Sequence, residues 1–434
     1  MARRRRLYTN ARLLDPASGL DAKGALLTDG DRIADVGPKL GAGGFASDIE
    51  VIDCQGHCLS PGLIDIHVWL REPGAEHQET MATGARAAAA GGITSMVAMP
   101  NTEPVIDEVA LVEFTARRAV DSAVVRILPA AAISKGTRGE ELAELGLLAE
   151  AGAVAFTDGE KAVANARLMR RALSYASTFD LLLMQASEEP SLAKGGAMNE
   201  GEVAARLGLA GIPAVAETIM LERDIRLLEA TGGRLHASHL STRESFDAVR
   251  RAKLRGLKLT AGAAPHNFAL NELDVGDYRT FAKVKPPLRV EDDRKAVVDA
   301  IADGTMDVIS SAHSPQDPEN KRLPFAQAEF GVIGLETLLP LTLELYHNGS
   351  VPLLKLLACL TCNPARLLKL DSGRLAVGAP ADLLLFDPDS PWRVDEKKFR
   401  SKAKNSPYDG RLVQGHALRT VVGGETVFQR KREG

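Results

Sequence analysis

Seven polar residues stand at the ends of short apolar or small-residue runs in this 434-residue chain: His67, Asn101, Asp158, Ser187, His239, His266 and His313. Imidazole and carboxylate are the groups that hold zinc and that move protons in hydrolytic sites. Trp69, two residues after His67, breaks the series. An indole offers one N–H donor and no metal-binding lone pair, and its ring fills with apolar surface the space another ligand would use. Metal chemistry here therefore depends on how many ligands remain around His67.

These residues need a scaffold that gathers them. Between Gly56 and Gly373 eight short runs alternate with helical patterns: Leu59 to Val68, Ile93 to Met99, Val124 to Ala132, Ala153 to Thr157, Leu181 to Ala186, Leu235 to Leu240, Leu257 to Ala264 and Met306 to Ser311. Such alternation signals a parallel sheet covered by helices, and eight units close a (β/α)8 TIM barrel. The helical spacing is explicit in Val109, Val112 and Ala116, and again in Phe246, Val249 and Ala252. Glycines at Gly91, Gly92, Gly152 and Gly232 to Gly233 mark helix ends. In a barrel the seven polar residues share the C-terminal rim, where active sites are assembled.

The flanks differ in period. Leu7 to Asp53 and Arg374 to Val427 carry strand-like runs and turns such as Asp29-Gly30-Asp31, Asp409-Gly410 and Gly423-Gly424. The expected architecture is α/β, with a barrel over 57–372 and a small β-sandwich domain built from both termini, 1–56 with 373–434.

Lys and Arg number 53 against 57 Asp and Glu, a net charge of -4, which gives no basic excess for nucleic acid or an anionic membrane surface. No run approaches the roughly 18 apolar residues of a membrane span, and no apolar segment follows the Arg3 to Arg6 cluster, so a soluble cytoplasmic protein is expected. Cys54, Cys58, Cys359 and Cys362 form two close pairs that invite a zinc-knuckle reading. Cys359 and Cys362 lie in the apolar run Leu353 to Leu368, where free cysteine behaves as a small buried hydrophobe, and reduced structural thiols are expected.

An ordered set of motifs spans nearly the whole chain: Ser60-Pro61-Gly62-Leu63-Ile64-Asp65-Ile66-His67, Leu70-Arg71-Glu72-Pro73-Gly74, Ala98-Met99-Pro100-Asn101-Thr102, Gly195-Gly196-Ala197-Met198, His239-Leu240-Ser241-Thr242, Pro286-Pro287-Leu288-Arg289, Gly334-Leu335-Glu336-Thr337, Asn363-Pro364-Ala365 and Gly378-Ala379-Pro380-Ala381-Asp382-Leu383. The chain thereby resembles the bacterial class I dihydroorotases of the amidohydrolase superfamily. The resemblance implies hydrolysis of dihydroorotate to N-carbamoyl-aspartate in pyrimidine biosynthesis. One or two zinc ions would activate water, and an aspartate on the last strand would act as acid and base.

Residue by residue, the resemblance also implies subtraction. His67, Asp158 and His239 match family metal ligands, while Trp69, Ala186 and Ala312 stand where two histidines and the acid-base aspartate are usual. Gly159 occupies a position that is often a second aspartate, and which of the two would bridge metals stays open. Ser187, Asn267 and Gln316 depart from the pattern as well, which points to drift rather than to three designed changes.

Loss of even an outer partner of a ligand costs ~10 to 100-fold in metal affinity, so no bound cofactor is expected, and zinc if any metal binds. No catalytic residue is expected, the acid-base position being Ala312, and His67, Asp158 and His239 read as polar remnants. Arg71, Asn101 and His266 match substrate-gripping positions. The resemblance implies a pseudoenzyme partnering aspartate transcarbamoylase as a scaffold, and itself a homo-oligomer. The alternatives are an active dihydroorotase or related cyclic amidohydrolase with a reduced zinc site, and a small-molecule sensor using the pocket.

Overall fold

The computed structural model describes residues 4–40 and 49–431. Arg3 and the outermost residues of the expected terminal domain lie outside them. The N-terminal arm forms β1 (Arg5–Asp15), β2 (Leu20–Asp29), β3 (Arg32–Gly37), β4 (Glu50–Asp53) and β5 (Cys58–Pro61). Eight strands of a second sheet follow in chain order, interrupted by one short pair. They are β6 (Leu63–Val68), β7 (Ile93–Ala98), β8 (Arg126–Ala131), β9 (Ala155–Phe156), β10 (Leu182–Ala186), then the pair β11 (Met198–Asn199) and β12 (Gly211–Ile212), then β13 (Arg234–Ser238), β14 (Leu259–Ala263) and β15 (Val308–Ile309). The C-terminal arm adds β16 (Leu383–Arg393), β17 (Leu412–Val422) and β18 (Glu425–Gln429).

β6 to β10 and β13 to β15 lie side by side in one parallel sheet, each neighbour in sequence being its neighbour in space. Their residues are almost all buried, because helices cover the outside and side chains fill the inside. Trp69 N–H donates to His313 O at 2.9 Å and Val68 bridges His313, so the ends of the first and last strands meet. The Asp65 carboxylate adds a second tie, accepting from the backbone N–H of Ser311 at 3.2 Å. The barrel is thus nearly closed, by side chain as well as backbone.

The run Leu59 to Val68 divides at Gly62: β5 pairs with β1 and β16 in the terminal sheet, and the barrel begins at Leu63. Gly62 has no room for a side chain, since a Cβ there would sit 2.1 Å from Thr94. The terminal domain is one mixed sheet, β18-β17-β16-β5-β1-β2-β3 with β4 beside β1, so both chain ends share a layer.

Helix patterning needs one adjustment. Phe246, Val249 and Ala252 are buried as their spacing requires, but in the helix Val109–Ser122 the buried face is Val112, Thr115 and Ala119, leaving Val109 exposed. Cys359 closes the helix Leu353–Leu360 and Cys362 opens the next one, so they do not share a helix. All four cysteines are free and buried. Among the described residues no helix is long and apolar enough to cross a membrane.

Candidate functional site at the barrel mouth

At the C-terminal end of β6 the chain places Asp65, His67 and Trp69 in succession. The His67 ring lies edge-on between two neighbours, 4.6 Å from the Trp69 ring and 4.3 Å from that of His239. Trp69 points inward and is only 6% exposed. Its indole N–H donates to Asn101 Oδ1 at 3.4 Å, and Asn101 Nδ2 donates to Asp158 O at 3.1 Å. Gly159, at φ +68°, makes room for this chain of contacts, because a Cβ there would collide with Asn101 Oδ1.

Burial favours the neutral form of these histidines. Burial drives the His67 imidazole well below its ordinary value, helped by His239 and His236. Burial alone pushes His239 down to about 4; His236 and His266 fall to about 3, chiefly by burial with a contribution from His239. His239 Nε2 is paired with Ser310 Oγ at 2.8 Å and His236 Nδ1 with Thr260 Oγ1 at 2.9 Å. His67 Nδ1 and both ring nitrogens of His266 are buried without a partner.

Asp158 does not join them. Its Oδ1 accepts from the backbone N–H groups of Ile133 and Ser134, each at 2.9 Å, and its Oδ2 from Ser134 Oγ at 2.5 Å. Of the three expected remnants of a metal site, the structure brings together His67 and His239 and turns Asp158 toward the loop after β8. Among the described residues no three His, Cys, Asp or Glu side chains converge on a point that could hold a metal ion. Two crowded imidazoles, one already bonded to a serine, do not fit a zinc ion, which takes three or four nitrogen, sulfur or oxygen ligands.

Ala186 ends β10 and Ala312 follows β15, and neither brings a donor atom. Ala312 holds φ +51°, a left-handed conformation that aspartate and asparagine adopt more readily than alanine. His239 and Arg71 share that conformation, at φ +49° and +59°. The rim therefore keeps bent backbone of the kind found at functional sites.

Of the three expected substrate-gripping residues His266 lines the cavity at the mouth, and Arg71 and Asn101 reach it through Ser314, Glu160 and Trp69. Arg71 donates to Ser314 Oγ at 2.9 Å and Pro315 O at 3.3 Å and lies 3.8 Å from Glu160, while Asn101 is engaged at both ends of its amide. His266 lines a cavity of about 30 Å3 with Trp69, Glu160, Lys285, Ala312 and Phe330. That is room for about two water molecules.

Several other residues hold the mouth in place: His313, already expected at the rim, and Asp65, Glu217 and Asn405, which the sequence does not single out. Asp65 stands two residues before His67, a visible neighbour, yet its bond to Ser311 spans 246 positions. His313 is fully buried, accepts from Gly334 N–H at Nδ1, and turns Nε2 toward Glu79 at 3.6 Å. Glu217 accepts from the backbone and hydroxyls of Ser241 and Thr242, pinning the turn after His239. Asn405, from the C-terminal arm, donates to Ser314 O and Gly331 O and accepts from Gln316 N–H, strapping the loop after β15.

Known proteins share this layout. Residues 56–245 match the family described as "Dihydro-orotase-like", and residues 342–428 one described as "Amidohydrolase family". A protein of Anaplasma phagocytophilum named dihydroorotase is 47% identical over 426 residues, covering 97% of this chain and 95% of its own. One of Syntrophotalea carbinolica with the same name is 45% identical, covering 98% and 99%. Among solved structures, the L-hydantoinase of Arthrobacter aurescens superposes with a TM-score of 0.89 at 23% identity, over 98% of this chain and 96% of its own. The dihydropyrimidinase of Brevibacillus agri superposes with a TM-score of 0.84 at 20% identity, over 98% and 95%. The hydantoinase likenesses bear on fold alone, whereas the full-length identity to curated relatives decides the family: this chain belongs to the dihydroorotases, within the amidohydrolases.

Proposed function

We propose that this chain is a dihydroorotase homologue without hydrolytic activity, serving pyrimidine biosynthesis as a structural partner of aspartate transcarbamoylase. The observation that carries the first half is the inward Trp69 ring, packed on His67 and bonded to Asn101. With Asp158 committed to Ile133 and Ser134, and alanine at 186 and 312, the donors and the acid-base aspartate that the resemblance implies are missing from the mouth, where Glu160 is a carboxylate that remains. Enzymes supply ~8 kcal/mol or more of barrier reduction, and positioning by the remaining polar groups does not replace both losses. The second half rests on the retained scaffold: fold can outlast chemistry when a surface is what remains useful.

Metal analysis of protein purified without chelator, paired with a dihydroorotate turnover assay, tests the first half. Zinc far below one equivalent and turnover at the buffer rate are expected. Stoichiometric zinc with turnover abolished by His67→Ala would overturn it. Co-expression with the cognate transcarbamoylase tests the second half by size exclusion, where one shared peak is expected and two separate peaks at micromolar concentration reject the scaffold.

A second reading, an active zinc-dependent dihydroorotase with a reduced site, draws support from the identity of 47% to a protein of that name. It requires Glu160, which lines the mouth cavity, or a reoriented Asp158 to serve as ligand or acid-base group. The sensor reading predicts thermal stabilisation by dihydroorotate or orotate, bound at the cavity beside His266.

A further inference from the structure

A cavity of about 280 Å3 opens at the end of the barrel away from His67, where β10, β13 and β14 begin. The mouth cavity beside His266 holds only about 30 Å3. Leu182, Leu235 and Leu259, each at or next to the start of its strand, give the larger cavity an apolar wall, completed by Leu367 at the end of the helix Cys362–Leu367. No residue lines both cavities.

Three basic side chains line it, Arg234, Lys258 and Arg366, against one acidic one, Asp307. Asp307 is already answered, since it accepts from Lys253 Nζ at 2.7 Å and from Ala261 N–H at 2.8 Å. Arg234 is steered without losing its charge: it donates to two carbonyls, Asp180 O at 3.0 Å and Leu367 O at 2.6 Å. The Asp180 carboxylate lies 3.8 Å from Arg234 and is held by Lys369 at 2.5 Å. Lys369, then Arg234 and Lys258, keep that carboxyl below its ordinary range. Arg366 leans on a neutral partner, the Asn363 amide oxygen at 3.2 Å. Five cations thus surround the cavity and two carboxylates answer them. A cavity of similar size beside Arg294 and Arg411 differs, because Glu291 and Glu344 pair with those two arginines.

The geometry points to a binding site at the base of the barrel for a small organic anion, one carboxylate or phosphate group on a compact apolar body. Arg366 offers planar N–H donors to an oxyanion and Lys258 a mobile ammonium, while the leucine wall takes the body out of water. Small-molecule sites run from roughly 300 to 1,000 Å3, so a cavity at the lower edge suits one ring and one head group rather than a dinucleotide. The site stands whether or not the mouth hydrolyses anything.

Titration calorimetry on the full chain at low salt tests this, with benzoate, phenyl phosphate, inorganic phosphate and benzyl alcohol as probes. Benzoate or phenyl phosphate is expected to bind with a Kd of about 1 mM or tighter, the better of the two identifying the head group. Inorganic phosphate lacks the body and benzyl alcohol the charge, and each is expected to bind about tenfold more weakly or worse. Hydrogen exchange with the better probe bound is expected to slow at residues 258–260 and 363–367. Lys258→Glu with Arg366→Glu, both exposed positions, is expected to weaken binding about tenfold or more with circular dichroism unchanged. Lys258→Gln with Arg366→Gln, a milder change, is expected to weaken it in the same direction. No binding of either organic anion, inorganic phosphate binding as well as they do, protection confined to residues 67–71 and 312–316, or full affinity in both double variants would each overturn the proposal.

Discussion

The indole N–H of Trp69 reaches the side-chain oxygen of Asn101 at 3.4 Å, and Asn101 in turn occupies the space that any side chain at 159 would claim. Positions 69 and 159 therefore form one packing unit. A ring at 69 draws Asn101 inward, and glycine at 159 lets it come.

This coupling is measurable. Trp69→Phe keeps most of the ring and removes the donor, and is expected to cost about 0.5 to 1.5 kcal/mol in urea unfolding. Trp69→Ala empties a buried site and is expected to cost about 3 to 5 kcal/mol. Gly159→Ala should be markedly less harmful in the Trp69→Ala background than in the wild type. A double-mutant cycle showing no coupling beyond about 0.5 kcal/mol would separate the two positions.

Reinstalling donors tests how much of the old site the backbone preserves. Trp69→His, Ala186→His and Ala312→Asp together introduce donors at the three positions where the resemblance to dihydroorotases implies them, and Ala312 already has the left-handed backbone that aspartate tolerates. The triple variant is expected to carry zinc at a substantially higher ratio than wild type by elemental analysis. Equal, negligible zinc in both would mean that the committed Asp158 carboxylate blocks recovery.

Asp65 is the tie between the first and last barrel strands. It accepts from His67 N–H at 3.1 Å and Ser311 N–H at 3.2 Å in a fully buried setting, and burial raises its carboxyl to about 6. Asp65→Ala leaves two buried N–H groups without an acceptor, at about 1 to 3 kcal/mol each. Hydrogen exchange should quicken at residues 64–69 and 308–314 and not in β8 to β10. Uniform exchange across the barrel would deny Asp65 this local role.

Acid sensitivity follows from His266, whose ring is held neutral by burial with a value of about 3. The folded value lies below the ordinary one, so the stability this favours is complete above about pH 6.5 and is lost as pH falls, because only the unfolded chain takes up the proton. His266→Leu removes that uptake. Relative to wild type it should gain up to about 1.4 kcal/mol per pH unit below pH 6.5. Parallel pH profiles for the two proteins would show that His266 is already charged in the fold.

The sequence by itself determined the alternation of eight strands with helices and the joining of both termini into a β domain, since each follows from residue type and short-range spacing, while the expectation of a metal ligand where Trp69 stands rests on the resemblance to dihydroorotases. Tertiary structure alone decided which way the polar groups turn. Asp158 sits at the rim as its position requires, yet its carboxylate serves Ile133 and Ser134, residues 25 and 24 positions back. Asn101 pairs with an indole 32 positions away rather than facing an open pocket. Periodicity places a Cα on a face and at a height, but a side chain's partner is set by which distant loops the closed barrel brings within about 3 Å, and that distance is not written in the spacing of residues along one strand.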